Sequence, residues 1–168
     1  EPNEHNLTIA ENELDELLVE LEMHFSSFSL FDLNGRLIKS TYNNQNALES
    51  DISHRRLWQR LIDSGYRYSI DDEIEISLIN NEYVITLLSG VFDNNGEPVG
   101  ILAAELKWNN FAKKYFSEIT IGKTGNIYVV DEEGKRVAHR DISKINTVSM
   151  GSKNALSAAA SQRKGVLH

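Results

Sequence analysis

Apolar residues recur at three- and four-residue steps through Leu14, Leu17, Leu18, Leu21, Phe25 and Phe28, one stripe down one face of a helix. Thr8 and Glu11 stand ahead of the stripe at capping-box spacing, so the pattern predicts a helix over 8–26. At about 1.5 Å per residue it is a rod about 28 Å long. The stripe suits packing against its own domain, and it equally suits pairing with a second copy.

Beyond the helix the period drops to two. Residues 28–33 read as a strand running into Asn34-Gly35, a hairpin turn in which both residues tolerate positive φ, and 36–40 return as a second strand. Residues 41–50 are polar and rich in Asn, hence loop. A short helix over 52–64 carries Trp58, Leu61 and Ile62, with Gly65 as its left-handed stop. Ile74, Ile76 and Leu78 alternate with Glu73, Glu75 and Ser77 as a half-buried strand, and Asn80-Asn81 makes a turn. Two long strands, 83–92 and 98–108, flank Asn95-Gly96. Asn109 or Asn110 then caps a helix bearing Phe111, Tyr115 and Phe116.

One pattern occurs more than once. Phe31-Asp32-Leu33-Asn34-Gly35 is echoed by Val130-Asp131-Glu132-Glu133-Gly134, each an apolar strand ending in Asp-x-x-Gly and followed by basic and apolar residues. The two aspartates are 99 positions apart, and a third such turn, Asp93 to Gly96, lies between them. Because both outer copies follow a helix, the pattern reads as a tandem repeat. Only 27 residues follow Asp141, too few to finish a second sheet like the first.

Composition narrows the function classes. An apolar fraction of 40% and a charged fraction of 25% over 168 residues are those of a globular chain with a core. The formal net charge of -8 repels phosphate backbones, so nucleic acid is not an expected partner, and no basic cluster invites anionic lipid. The absence of cysteine removes disulfides, thiolate zinc sites and thiol catalysis. No apolar run approaches the roughly 20 residues needed to cross a bilayer. The chain starts at Glu1 and shows no leader, so it is expected to be a segment of a longer, membrane-anchored protein.

Catalytic motifs fail on spacing. Gly122-Lys123-Thr124 lacks the glycine of a P-loop, since Ser117 occupies that position. Asp93 to Gly96 places its glycine fourth, where a calcium loop needs it sixth. His5, His24, His54, His139 and His168 are scattered without metal-ligand spacing, and no nucleophile elbow occurs. No catalytic residue, metal or cofactor is expected, and the chain is not read as an enzyme.

The order of these elements resembles the double Cache family of sensor domains. The resemblance is carried by the opening helix, the Asp-x-x-Gly hairpin and the Arg56-x-Trp58 helix. It continues through Tyr83-Val84-Ile85-Thr86, Val91 to Gly96, Val99-Gly100-Ile101-Leu102 and the run from Ile121 to Asp131, ending in Val137-Ala138-His139-Arg140. It covers nearly the whole chain from about Asn6. The fold it implies is α+β: a PAS-like antiparallel five-stranded sheet with a long N-terminal helix, followed by the start of a second, incomplete PAS-like subdomain. The expected divisions are an N-terminal helix over 1–27, a membrane-distal subdomain over 28–118 and a partial membrane-proximal subdomain over 119–168.

The function implied is a small-ligand sensor on the periplasmic or extracellular side of a membrane protein, controlling a chemoreceptor, histidine kinase or diguanylate or adenylate cyclase output. Arg56-x-Trp58 is similar to the motif with which amino-acid-binding members hold their ligand, a guanidinium for the carboxylate and an indole for the apolar face. Glu105 stands where such receptors place the acid that meets the ammonium. Asp51 and Gln59 stand where the motif has tyrosines, so an amino acid, an amine or a carboxylate all remain open as ligand. Tyr66 and Tyr68 line the same cavity or belong to the core. Two other readings are a cytosolic PAS module carrying haem or flavin, and a module that works only by forming a homodimer through its N-terminal helix.

Overall fold

The apolar stripe does form a helix, α1 (Glu4–Leu21), but it stops five residues before the predicted end. In the computed structural model, residues 4–42, 49–77, 80–116, 119–121, 125–131, 134–148 and 157 are described. The helix begins before Thr8, so that residue is helical rather than a cap. A turn over 22–24 follows, and Phe25 and Phe28 belong to strand β1 (Phe25–Phe31). A bulge between Phe25 and Ser27 restores what helical spacing would have done. It puts Phe25 on the Phe28 side of the sheet, with ring centroids 5.1 Å apart.

Two compact units emerge, residues 1–108 and 109–168. In the first, β1 pairs antiparallel with β2 (Leu37–Ser40) on one side and with β6 (Pro98–Lys107) on the other. Strand β5 (Tyr83–Phe92) pairs with β6, and its outer edge is shared by two short strands, β3 (Ser69–Ile70) and β4 (Glu75–Ile76). The order is thus β2-β1-β6-β5, with β3 and β4 occupying the fifth place, and every pairing is antiparallel. This is the five-place PAS-like sheet that the sequence predicts.

Cross-strand partners sort the side chains by face. Phe31, Leu88, Ile101 and Ala103 lie on one side, where helix α2 (Arg56–Asp63) presses Leu57, Trp58 and Leu61 onto them, with Ile52 completing the cluster. Burying side chains of this size contributes about 1.5–3 kcal/mol each. On the other side lies Phe28, almost fully buried, and α1 lies against β1 and β2 with Leu14 buried. The remaining stripe residues Leu17, Leu18 and Leu21 are half-buried, as an amphipathic helix on a sheet requires.

The three Asp-x-x-Gly turns are built alike. Asp32, Asp93 and Asp131 each accept from the backbone N–H of the residue four ahead, Arg36, Glu97 and Lys135, at 2.8, 2.9 and 2.9 Å. Gly35, Gly96 and Gly134 take φ of 85°, 82° and 78°, the left-handed region that favours glycine. The repeat is therefore a turn device.

The second unit contains α3 (Trp108–Phe116, whose first residue closes the first unit), a small hairpin β7 (Thr120–Ile121) and β8 (Gly125–Asn126), and a hairpin β9 (Tyr128–Val130) and β10 (Arg136–His139). Helix α3 starts at Trp108, one residue before the predicted cap. The predicted strand residue Leu78 and the Gly-Lys-Thr run at 122–124 lie outside the described residues.

Gly35 and Gly96 separate strain from crowding. A Cβ on Gly35 would stand 2.8 Å from the backbone nitrogen of Ser53, whereas one on Gly96 meets nothing within 4 Å. Gly96→Ala is expected to cost about 1 kcal/mol from its φ alone, and Gly35→Ala clearly more, about 2–4 kcal/mol. Urea unfolding of the two variants checks the order, and equal losses would refute it.

Candidate functional site

Helix α2 fills only part of its sheet face. In register across the sheet, Ser69, Leu88, Ala103, Ser29 and Ser40 form one row, and Thr86, Glu105 and Ser27 form the next. The apolar wedge of α2 sits over the end marked by Phe31, Ile101 and Leu88. Towards the other end, hydroxyls stand among the aliphatics, beside the buried Val84. Ser27, Ser29, Ser40 and Ser69 are all buried, although nothing in a plain hydrophobic core calls for them. Ser29 and Ser40 satisfy one another across β1 and β2, Oγ to Oγ at 2.8 Å.

Glu105 lies half-buried in this polar stretch. Its Oε2 accepts from the Ser77 hydroxyl at 2.9 Å, and the Asn80 amide reaches Ser26 at 3.4 Å. Ser77 follows β4, at the edge beyond β5, and its hydroxyl reaches Glu105 on β6. Among the described residues no basic group pairs with Glu105. Lys107, two residues on, donates instead to the Glu22 carbonyl at 2.7 Å.

The entry to α2 supplies the positive charge. Arg55, the residue before the helix, has extended backbone and a side chain only 24% exposed. It donates to Asp71 at 3.2 Å and Glu75 at 2.5 Å, with Glu49 at 3.9 Å. One turn on, Arg60 grips both oxygens of Asp72 at 3.0 and 3.3 Å and also donates to the Ile70 carbonyl. The two arginines thereby clamp the β3–β4 segment to α2. Burial pushes the Asp71 carboxyl up from its ordinary value, and Arg55 only partly opposes this.

The candidates from the sequence fall into two groups. Trp58 is 4% exposed within the apolar cluster. Tyr66 packs half-buried on that cluster with φ of 63°, its carbonyl accepting from the Gly90 N–H at 2.8 Å. Glu105 shares the same face. Arg56 points away, 79% exposed and 3.9 Å from Asp72, and Tyr68 is 66% exposed. Sequence reasoning passed over Arg55, Asp71, Glu75 and Ser77. Arg55 and Arg56 are adjacent identical residues, and only the phase of α2 against the sheet tells which one faces inward.

The Cache domain family, in its dCache_1 form, matches residues 5–165, so the chain belongs to that family. Its members are ligand-binding sensor domains. Among solved structures, the chain is similar to the ligand-binding domain of the Pseudomonas aeruginosa PAO1 amino acid chemoreceptor PctB in complex with L-Gln. There the TM-score is 0.62 at 19% identity, covering 87% of this chain and 57% of that one. It is likewise similar to the ligand-binding domain of the Campylobacter jejuni chemoreceptor Tlp3 in complex with 4-methylisoleucine, at TM-score 0.63 and 15% identity over 86% and 55% of the two chains. A third likeness is to the P. aeruginosa PAO1 chemoreceptor PctC in complex with GABA, at TM-score 0.60 and 17% identity over 99% and 67%. At these identities the likeness shows the shared fold. The chain spans little more than half the length of the first two. Comparison with curated protein sequences returned no match.

The neighbouring arginines give opposite expectations. Arg55→Ala strands the half-buried Asp71 and is expected to cost about 1–3 kcal/mol at neutral pH, while Arg56→Ala stays within about 0.5 kcal/mol. Because the folded-state pKa of Asp71 is raised, its ionised form is a burden that is shed as pH falls. The Arg55→Ala loss should therefore shrink in acid as Asp71 protonates. Urea midpoints across pH check both statements, and a larger loss from Arg56→Ala would overturn them.

Proposed function

We propose that this chain is the extracytoplasmic sensing module of a membrane signal-transduction protein, of chemoreceptor, histidine kinase or cyclase type, and that it binds a small molecule on the α2 face. The observation that carries the reading is the polar end of that face. Buried hydroxyls surround a half-buried carboxylate that has no basic partner among the described residues. Such a constellation is costly as mere core and is common where a ligand supplies the missing partner. Membership of the Cache family supports the same reading, and the family does not favour a cytosolic cofactor carrier.

Trp58 and Tyr66 are proposed as the apolar wall of the site and Glu105 as its charged anchor, with Arg56 and Tyr68 at the rim. The Ser77 hydroxyl donates to Glu105, and the β3–β4 segment is tied to α2 by Arg55 and Arg60. A ligand that bridges these parts favours the packing in which they are closest, and it shifts the module only by its difference in affinity between two packings. Helix α1, braced on β1 and β2, is the element through which such a shift is proposed to leave the sheet. Whole-protein output and membrane anchoring are proposed to reside in the parent chain. Among the described residues no helix is long and apolar enough to cross a membrane.

A thermal-shift panel of amino acids, amines and carboxylates tests this. One class at 100 times its dissociation constant should stabilise the chain by about 2.7 kcal/mol, a rise of a few degrees. Glu105→Ala should abolish that rise with little change in the unliganded melting temperature. Stabilisation by no class, or a rise unaffected by Glu105→Ala, would end the proposal.

A further inference from the structure

We propose that Asn95 is a site of spontaneous deamidation and that its twin, Asn34, is spared by packing. Asn-Gly occurs twice in the chain, at Asn34-Gly35 and Asn95-Gly96, each time inside an Asp-x-x-Gly turn. In this chemistry the backbone nitrogen of the glycine attacks Cγ of the asparagine side chain. A C–N bond forms, the bond from Cγ to the side-chain nitrogen breaks, and ammonia leaves with the glycine N–H proton. The succinimide ring that results takes up one water at either carbonyl, giving aspartate or isoaspartate. Water is the only co-reactant. Glycine favours the attack because it has no Cβ to block the approach.

Both asparagines begin from the same bonds. Each donates its backbone N–H to the turn aspartate at 2.8 Å, and the side-chain amides of Asn34 and Asn95 donate to its other oxygen at 3.4 and 3.2 Å. Gly35 and Gly96 each donate to the aspartate carbonyl at 3.0 Å, which holds the nucleophile away from Cγ. The turn must open locally before either site reacts, so the free energy of opening sets the rate.

Here the two sites part. Gly35 is buried, its carbonyl accepts from the Ile52 N–H at 2.9 Å, and Arg36 bridges to Asp51. An atom added at Gly35 would stand 2.8 Å from the Ser53 nitrogen, which leaves no room for the chain to rearrange. Gly96 is exposed, and nothing lies within 4 Å of the same position there. The bonds that close the 93–97 turn all run within it, so it opens without disturbing any other element.

The two products differ in consequence. Aspartate keeps the backbone, and in the third turn Glu133 already puts a carboxylate at the corresponding place while Gly134 still donates to the Asp131 carbonyl at 3.1 Å. Isoaspartate diverts the chain through the side chain and lengthens the backbone beside the Phe92–Pro98 pairing of β5 and β6. Either product replaces an amide that donated to Asp93 with a second carboxylate. The Asp93 carboxyl is itself held below its ordinary range by the Glu97 and Asn95 N–H groups, so the two negative charges repel across the turn.

Ageing the chain in mildly alkaline buffer and reading its peptides by mass spectrometry tests the proposal, each folded rate being taken against the same site's rate in urea. Folding should protect Asn34 about 10-fold or more better than Asn95. An isoaspartyl methyltransferase assay should find isoaspartate in the peptide bearing Asn95. Gly96→Ala should remove most of that signal, and Asn34→Gln should leave it unchanged. Equal protection of the two sites, or better protection of Asn95, would overturn the proposal. A folded Asn95 that keeps its amide while the unfolded one loses it would overturn it as well.

Discussion

The first unit depends on how α2 wedges into its sheet. Leu57, Trp58 and Leu61 meet Phe31, Leu88 and Ile101 near one end of β5 and β6, and Ile52 closes the cluster. A helix of only eight residues has little stability of its own, so this contact decides both that it forms and where it lies. Its place then determines everything around it. Arg55 and Arg60 face the β3–β4 segment, while Arg56 is turned to solvent. The sheet beyond the helix carries small hydroxylated residues beside the buried Val84. Had the wedge been longer, those positions would have had to be aliphatic.

That division of one face into a dry end and a polar end gives the unit its chemistry. The dry end holds the elements together through apolar burial, which has no direction. The polar end is held by specific bonds, Ser29 to Ser40 and Ser77 to Glu105. Its charges are unevenly shared. The arginines at and in α2 are matched by carboxylates of the β3–β4 segment, and Glu105 on β6 has no basic partner among the described residues. A carboxylate in that position is tolerable while a hydroxyl and solvent reach it, and it becomes strongly favourable once a cation does.

The Asp-x-x-Gly turns show a different kind of constraint. Each aspartate accepts from the backbone four residues ahead, and each glycine takes a φ that other residues resist. The device is local. It works the same way in both units because it needs nothing outside five residues. That is why the echo was visible in the chain.

Short-range physics was accordingly legible from the amino acids alone. The hairpin turns, the left-handed stop at Gly65, the strand over Tyr83–Phe92 and the half-buried leucines of α1 all follow from period, turn chemistry and φ preference. The order of these elements was enough to indicate the family. Three things were not legible. Phe25 and Phe28 fit a helical stripe by spacing, and only pairing with β6, with its bulge, made them strand. Arg55 and Arg56 are the same residue side by side, and the phase of α2 on the sheet chose between them. Asp71, Glu75, Ser77 and Glu105 are scattered over 35 residues, and strand pairing at the β5 edge brought Ser77 to Glu105. Sequence determines what neighbours along the chain do to each other. Which distant side chains share a dielectric is decided by packing alone, because burial and Coulomb energy depend on separation in space.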